Sequence, residues 1–222
     1  MDMVQAMRQR HTVRKFTDKP LAADVVERLN SRVRANNERF GLDIALKMGD
    51  ESAIPGALKL FFAKGVRNYF VLAANERPGV DEDLGYASAD LMLFAQTLGL
   101  NTWWIGGTYN RKGVAQDAAG KKIVGIVVVG YGAEQGKPHK SKSAAEVSSY
   151  DGAAPQWFAD GVEAALLAPT ALNKQAFKIA GAGNKVAISD AGSPMPGADL
   201  GIVKYHFELG AGNAFEWADK LD

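Results

Sequence analysis

Arg8-Gln9-Arg10-His11-Thr12-Val13-Arg14-Lys15-Phe16, closed by Thr17-Asp18-Lys19-Pro20, is the stretch on which the reading of this chain turns. Within it, eight residues hold four cations, a histidine and a hydroxyl, and the run leads onto a helical pattern. Arginine offers a forked, permanently charged donor set that matches phosphate, and a threonine hydroxyl with backbone N–H groups can fill the remaining acceptor positions. The stretch therefore predicts a seat for one compact anion. The alternative is a solvated basic face, which is what most short basic runs near a terminus are. Val13 and Phe16 favour the seat, because a mobile tail has no use for apolar residues whereas a segment docked on a core does.

With 222 residues the chain can bury a full-sized core. No linker rich in proline or serine divides it, so a single domain over residues 1–222 is expected. Lys and Arg number 26 against 25 Asp and Glu. Positive charge is thus local, which argues against a protein that coats nucleic acid or an anionic membrane. Zero cysteines exclude disulfides, thiolate nucleophiles and cysteine-based zinc sites. His11, His139 and His206 are too scattered along the chain to propose a metal site, and neither a nucleophile elbow nor a Gly-x-x-x-x-Gly-Lys phosphate loop occurs. Residues 1–6 lack the apolar core of a signal peptide, and apolar runs fall well short of the roughly 20 residues of a spanning helix. A cytoplasmic protein is the expectation.

Residues 20–29 read as a helix, with Leu21, Val25 and Leu29 at i, i+4 and i+8 and proline in the first turn. A polar turn is expected at Asn36-Asn37-Glu38. Residues 67–73 form an aromatic and β-branched run of the buried-strand type. Residues 83–98 predict a mostly apolar helix stopped by Gly99. Residues 101–105 then predict a strand running into Gly106-Gly107, and residues 123–131 carry the strongest strand pattern. In the second half, 150–167 predicts a turn and a helix, 177–179 a strand, and 199–209 a further helix. Pro155 stands 135 positions after Pro20, and Asp199-Leu200-Gly201 stands 116 positions after Asp83-Leu84-Gly85. Two half-like repeats at about 6–135 and 145–222, related by a pseudo-two-fold axis, are one reading of this echo; chance similarity of amphipathic helices is the other.

A second informative segment is Leu167-Ala168-Pro169-Thr170-Ala171-Leu172-Asn173-Lys174-Gln175-Ala176-Phe177-Lys178. Proline and small residues make a tight descent from a helix, and the Asn173 and Gln175 amides can both donate and accept at the edge of a heteroaromatic ring. An ordinary helix C-terminus leading into a strand is the alternative. Taken together, Arg10 through Phe16, Ala168 through Gln175, Trp104-Ile105-Gly106-Gly107, and Gly130-Tyr131-Gly132 with Lys140 and Lys142 downstream resemble the nitroreductase family of FMN-dependent oxidoreductases. Within that family, the chain most resembles the branch in which one polypeptide contains two half-like repeats. The resemblance spans residues 6–210.

It implies an α+β sandwich with a mixed sheet between helices and FMN in a crevice at the interface of two subunits. By resemblance, Arg10, His11 and Thr12 hold the phosphate, joined by Lys140 and Lys142. Arg14 lies nearer the pyrimidine end, where positive charge stabilises the anionic reduced flavin. Asn173, with Lys174 and Gln175, meets the ring carbonyls and N3, on a cofactor-binding loop that also includes Pro169 and Thr170. Gly106 and Gly107 bring backbone N–H groups close to N5, an approach that a side chain would block. The implied activity moves a hydride from NADH or NADPH to a small electron-poor acceptor. The flavin carries the chemistry, so no side chain is named as catalytic, and no metal is implied. A flavin-binding protein without turnover, its ring face closed by Leu172 or Phe177, is the alternative. The family often has Gln-Pro-aromatic where Gln175-Ala176-Phe177 stands, and a small residue where Leu172 stands. One complete set of parts implies one flavin per chain, in a monomer acting as a pseudo-dimer or in a homodimer. The acceptor pocket is expected to involve residues 36–60.

Overall fold

Asp2 starts helix α1 (Met3–Gln9). Its carboxylate accepts from Gln5 N at 2.8 Å, while the Gln5 side chain accepts from Asp2 N at 3.2 Å, so two otherwise orphaned N–H groups are satisfied. The helix stops at Arg10, and the basic stretch beyond it runs extended. Thr12 bridges Thr102, Lys15 bridges Lys64 and Phe16 bridges Gly132. Val13 and Phe16 are buried, as docking on a core requires. The computed structural model describes residues 1–56, 63–116, 118 and 120–221; the last part of the expected 36–60 pocket region, residues 57–60, lies outside them.

Helix α2 (Ala23–Phe40) buries Leu29 of the predicted stripe and half-buries Val25, with Leu21 buried just before it, but it continues past Leu29 and through the expected turn at Asn36-Asn37-Glu38. Tertiary partners explain the difference. Asn36 Nδ2 donates to Asp90 at 2.7 Å, and the Asn37 side chain exchanges hydrogen bonds of 2.9 and 3.0 Å with the backbone of Ile44. The actual stop is Gly41, left-handed at φ 62°.

The first sheet is antiparallel throughout, in the order β1 (Ala45–Lys47), β2 (Tyr69–Ala74), β4 (Lys122–Gly130), β3 (Asn101–Ile105). The second is mixed, in the order β5 (Ser148–Asp151), β6 (Phe177–Ala182), β7 (Lys185–Asp190), β8 (Glu216–Trp217), with its outer pairs parallel. Among the described residues the remaining α-helices are α3 (Val80–Thr97), α4 (Arg111–Ala115), α5 (Ala144–Val147), α6 (Gln156–Ala165) and α7 (Pro196–Ala211). The fold is thus α+β, with sheets flanked by helices. Strand β7 is absent from the periodicity reading, although Gly183-Asn184 between it and β6 is a two-residue hairpin signal.

Beyond its acidic first turn, helix α3 is buried on most sides, as a mostly apolar helix must be. It packs on the first sheet, on α1, on α2 and, most extensively, on α7. The α3–α7 approach is close because two glycines permit it. A methyl group at Gly85 would overlap the Ala198 carbonyl, and one at Gly201 would overlap the Glu82 carbonyl. The two contacts are reciprocal. Displacing Gly85 by 116 positions gives Gly201, and displacing Glu82 by the same amount gives Ala198, so one contact repeats the other with the helices exchanged. One large core joins both halves, including Leu84, Leu91, Phe177 and Phe207, and a second core with Val13, Phe16, Tyr69 and Ile126 covers the other face of the first sheet.

Candidate functional site

Arg10 caps the C-terminal end of α1 and is buried, 5% exposed. Among the described residues its guanidinium forms neither an ion pair nor a hydrogen bond, and burial alone pushes its pKa down to about 10. It therefore carries its charge at neutral pH. A buried cation with no counter-charge is unfavourable by itself, and this one marks a place where an anion would be stabilised. The Thr102 hydroxyl, on the strand that Thr12 bridges, is buried without a hydrogen-bond partner.

His139, far from both in sequence, disfavours the charged forms of His11 and His206. Burial and then Arg10 hold His11 below the usual imidazole pKa, with His139 adding to the effect. His206, on α7, is fully buried and lowered to about 3, chiefly by burial and further by Arg10 and His139. Its Nδ1 makes a 2.8 Å hydrogen bond with the Ile202 carbonyl, and its Nε2 has no partner. No metal-binding group of three or more His, Cys, Asp or Glu exists among the described residues.

His139 also leads to the second predicted block. Its ring lies 3.0 Å from the Leu166 carbonyl, which also accepts from Gln175 Nε2 at 2.9 Å and from the Ser141 hydroxyl at 3.2 Å. Gln175 in turn accepts Lys142 N at 2.7 Å through its side chain, and its backbone carbonyl accepts Lys142 Nζ at 2.9 Å. The Asn173 amide donates to the Lys140 carbonyl at 2.8 Å. The segment from 139 to 142 is thus stitched to the loop from 166 to 175. Gln175, 1% exposed, and the Lys142 ammonium make hydrogen bonds within this clasp. Asn173, Lys174 and Lys140 remain exposed.

The loop itself is conformationally strained. Leu172, Asn173 and Gln175 have φ of 54°, 53° and 44°, values that non-glycine residues rarely adopt, and Leu172 is 82% exposed. Phe177, by contrast, belongs to the main core. Buried Asp199, in the first turn of α7, holds the loop in place. It accepts Ala171 N at 3.0 and 3.1 Å and the Ser193 hydroxyl at 2.5 Å. Thr170 Oγ1 accepts Gln175 N at 2.9 Å, and Pro169 precedes it, half-buried.

Strand β3 connects the parts. Thr102 lies at its Arg10 end, and Gly106, roughly 13 Å further along at the usual rise, touches Met195, which is bonded through Ser193 to Asp199. Gly106 has no room for a methyl group, whereas Gly107 faces open space. Exposed Arg14 stacks over the half-buried Trp103 ring at 5.5 Å. Two clefts open elsewhere, one of about 240 Å³ beside Phe16, Met48 and Arg67 and one of about 570 Å³ on the outer face of the second sheet at Ser149, Lys178 and Ala180. Neither is lined by Arg10, Gly106 or Asn173, so the case for a ligand rests on unsatisfied polar groups. Sequence reasoning missed His139 and His206 as parts of this neighbourhood, since nothing in their spacing marks them, and it read Asp199 only as part of the 116-residue echo.

Among solved structures, the chain is similar to "a putative nitroreductase" from Thermotoga maritima MSB8, with a TM-score of 0.67 and 22% identity over 95% of this chain and 83% of that one. It is also similar to a "Putative NADH dehydrogenase/NAD(P)H nitroreductase" from Parabacteroides distasonis, with a TM-score of 0.52 and 19% identity over 65% of this chain and 95% of that one. A third, "a putative nitroreductase in complex with FMN" from Desulfovibrio desulfuricans, gives a TM-score of 0.50 and 16% identity over 66% and 95%. These likenesses establish the fold. No curated protein matches the chain. Residues 2–211, almost the whole sequence, match the family described as "Putative TM nitroreductase", and the chain belongs to that nitroreductase family.

Proposed function

We propose that this protein is an FMN-dependent oxidoreductase that takes a hydride from NADH or NADPH and delivers reducing equivalents to a small electron-poor acceptor. The observation that carries this reading is Arg10, a buried guanidinium without a counter-charge, in the stretch where the family resemblance puts the cofactor phosphate. The unpartnered Thr102 hydroxyl beside Thr12 supplies a further polar group of the kind a phosphate would satisfy. FMN, when bound, supplies two-electron transfer at N5, chemistry for which this chain offers no side chain of its own.

The chain's residues bind, orient and tune. Arg10, His11 and Thr12 hold the phosphate. Asn173 and Lys174, exposed on the strained loop, meet the ring edge, and Asp199 keeps the loop in register. Arg14, aligned by Trp103, supplies positive charge near the ring. Gly106 and Gly107 allow close approach of the backbone. Lys142 and Gln175 act indirectly, by clasping Lys140 to the loop that carries Asn173. The reciprocal glycine contacts between α3 and α7 support reading the chain as two half-like repeats related by a pseudo-two-fold axis, with one flavin site built from unlike halves.

The test is the visible spectrum of purified protein with FMN added, followed anaerobically by NADH and then NADPH. The expected result is a bound flavin that bleaches with at least one donor. A bound flavin that stays oxidised with both would favour a binding protein without turnover, and no binding at all would reject the cofactor assignment.

A further inference from the structure

His206 has no part in the roles above, yet it is fully buried and its Nε2 has no partner. Its place in the fold suggests a function. Helices α3 and α7 are in register at a displacement of 116, set by Asp83-Leu84-Gly85 and Asp199-Leu200-Gly201 and by the reciprocal glycine contacts. At that displacement His206 occupies in α7 the position that Asp90 occupies in α3.

The two positions meet two cations with opposite outcomes. Asp90 accepts from Arg32 Nε at 2.6 Å, from Asn36 at 2.7 Å and from the Tyr205 hydroxyl at 2.6 Å, and it ion-pairs with Arg32. The Arg32 charge is thereby used within the protein. His206 lies instead on the helix against which α1 packs, and Arg10, the residue that ends α1, keeps no counter-charge among the described residues and disfavours a charged His206. A carboxylate at this position would give Arg10 an internal partner, as Asp90 gives one to Arg32.

We propose that His206 is a positioning residue of the anion seat, a neutral group standing where the matching helix carries a carboxylate, so that the Arg10 charge stays uncompensated and available to a ligand phosphate. The inference rests on the phosphate seat proposed above, but not on the ligand being a flavin. Its determinant is the charge at position 206, not its bulk, because the seat requires only that nothing anionic face Arg10 from α7.

The experiment compares full-length wild type, His206→Asp and His206→Gln in three titrations: FMN, riboflavin, which lacks the phosphate, and inorganic phosphate read as a thermal shift. His206→Asp is expected to weaken FMN on the order of ten- to a hundred-fold, the scale of a charge-assisted contact, and to abolish the phosphate shift while leaving riboflavin affinity unchanged. His206→Gln is expected to retain both FMN and phosphate binding. Full FMN affinity in folded His206→Asp, or equal loss in His206→Gln, would overturn the proposal. A wild type that takes phosphate but no flavin would reject the cofactor reading alone, and loss of the phosphate shift in His206→Asp would still support the role of His206. Should His206→Asp not fold, Arg10→Met decides. An uncompensated Arg10 predicts that this variant raises the melting temperature of the ligand-free protein and loses the phosphate shift, whereas a lowered melting temperature with the shift intact would overturn the proposal.

Discussion

His206 makes the stability of this protein depend on pH in a calculable direction. Unfolded, an imidazole titrates near 6.5; folded, this one is lowered to about 3. Between those values the unfolded chain holds a proton that the folded chain refuses, so stability rises with pH through the window and is fully present above about 6.5. Denaturant midpoints measured from pH 4 to 8 are expected to climb in the wild type and to climb less in His206→Gln; equal slopes would refute the assignment. Leu172 is the opposite case, an exposed side chain in a left-handed conformation that costs an L-residue free energy. Leu172→Gly is expected to raise stability by up to about 1 kcal/mol, because relief of strain outweighs the added freedom of the unfolded chain. A drop in melting temperature would show that Leu172 makes a stabilising contact.

Elements in this fold are held together by backbone proximity as much as by side chains. Neither Gly85 nor Gly201 leaves space for a methyl group against the opposing helix, so Gly201→Ala must force α3 and α7 apart. A loss of about 3 kcal/mol is expected, at the upper end of overpacking effects, measurable by chemical denaturation. A loss below about 0.5 kcal/mol, the usual range for a surface change, would mean that the helices separate freely. Asp90 reinforces the same junction by joining Arg32 and Asn36 of α2 to Tyr205 of α7. The periodicity reading recovered α3 and α7 nearly to their ends because their patterns are strongly apolar. It ended α2 at Leu29 and expected a turn at Asn36, because the Asp90 carboxylate that satisfies the Asn36 amide comes from far along the chain. No helix among the described residues is long and apolar enough to cross a membrane.

For the molecule as a whole, the proposed single site built from unlike halves predicts one flavin per chain. Equilibrium dialysis of the purified protein with FMN is expected to give a ratio of one, and a ratio of two would require a second seat that pairs the remaining cations. The sequence alone determined the fold class, the family and the basic stretch, because hydrophobic periodicity and short motifs are local properties of a chain. It also carried the 116-residue echo of Asp-Leu-Gly. Only the tertiary structure decided that Arg10 is buried without a partner, that Gln175 and Lys142 clasp each other, and that the Arg10 charge bears on both His11 and His206. Those outcomes depend on which distant groups arrive beside a charge and on how much water they displace, and no spacing along the chain encodes either quantity.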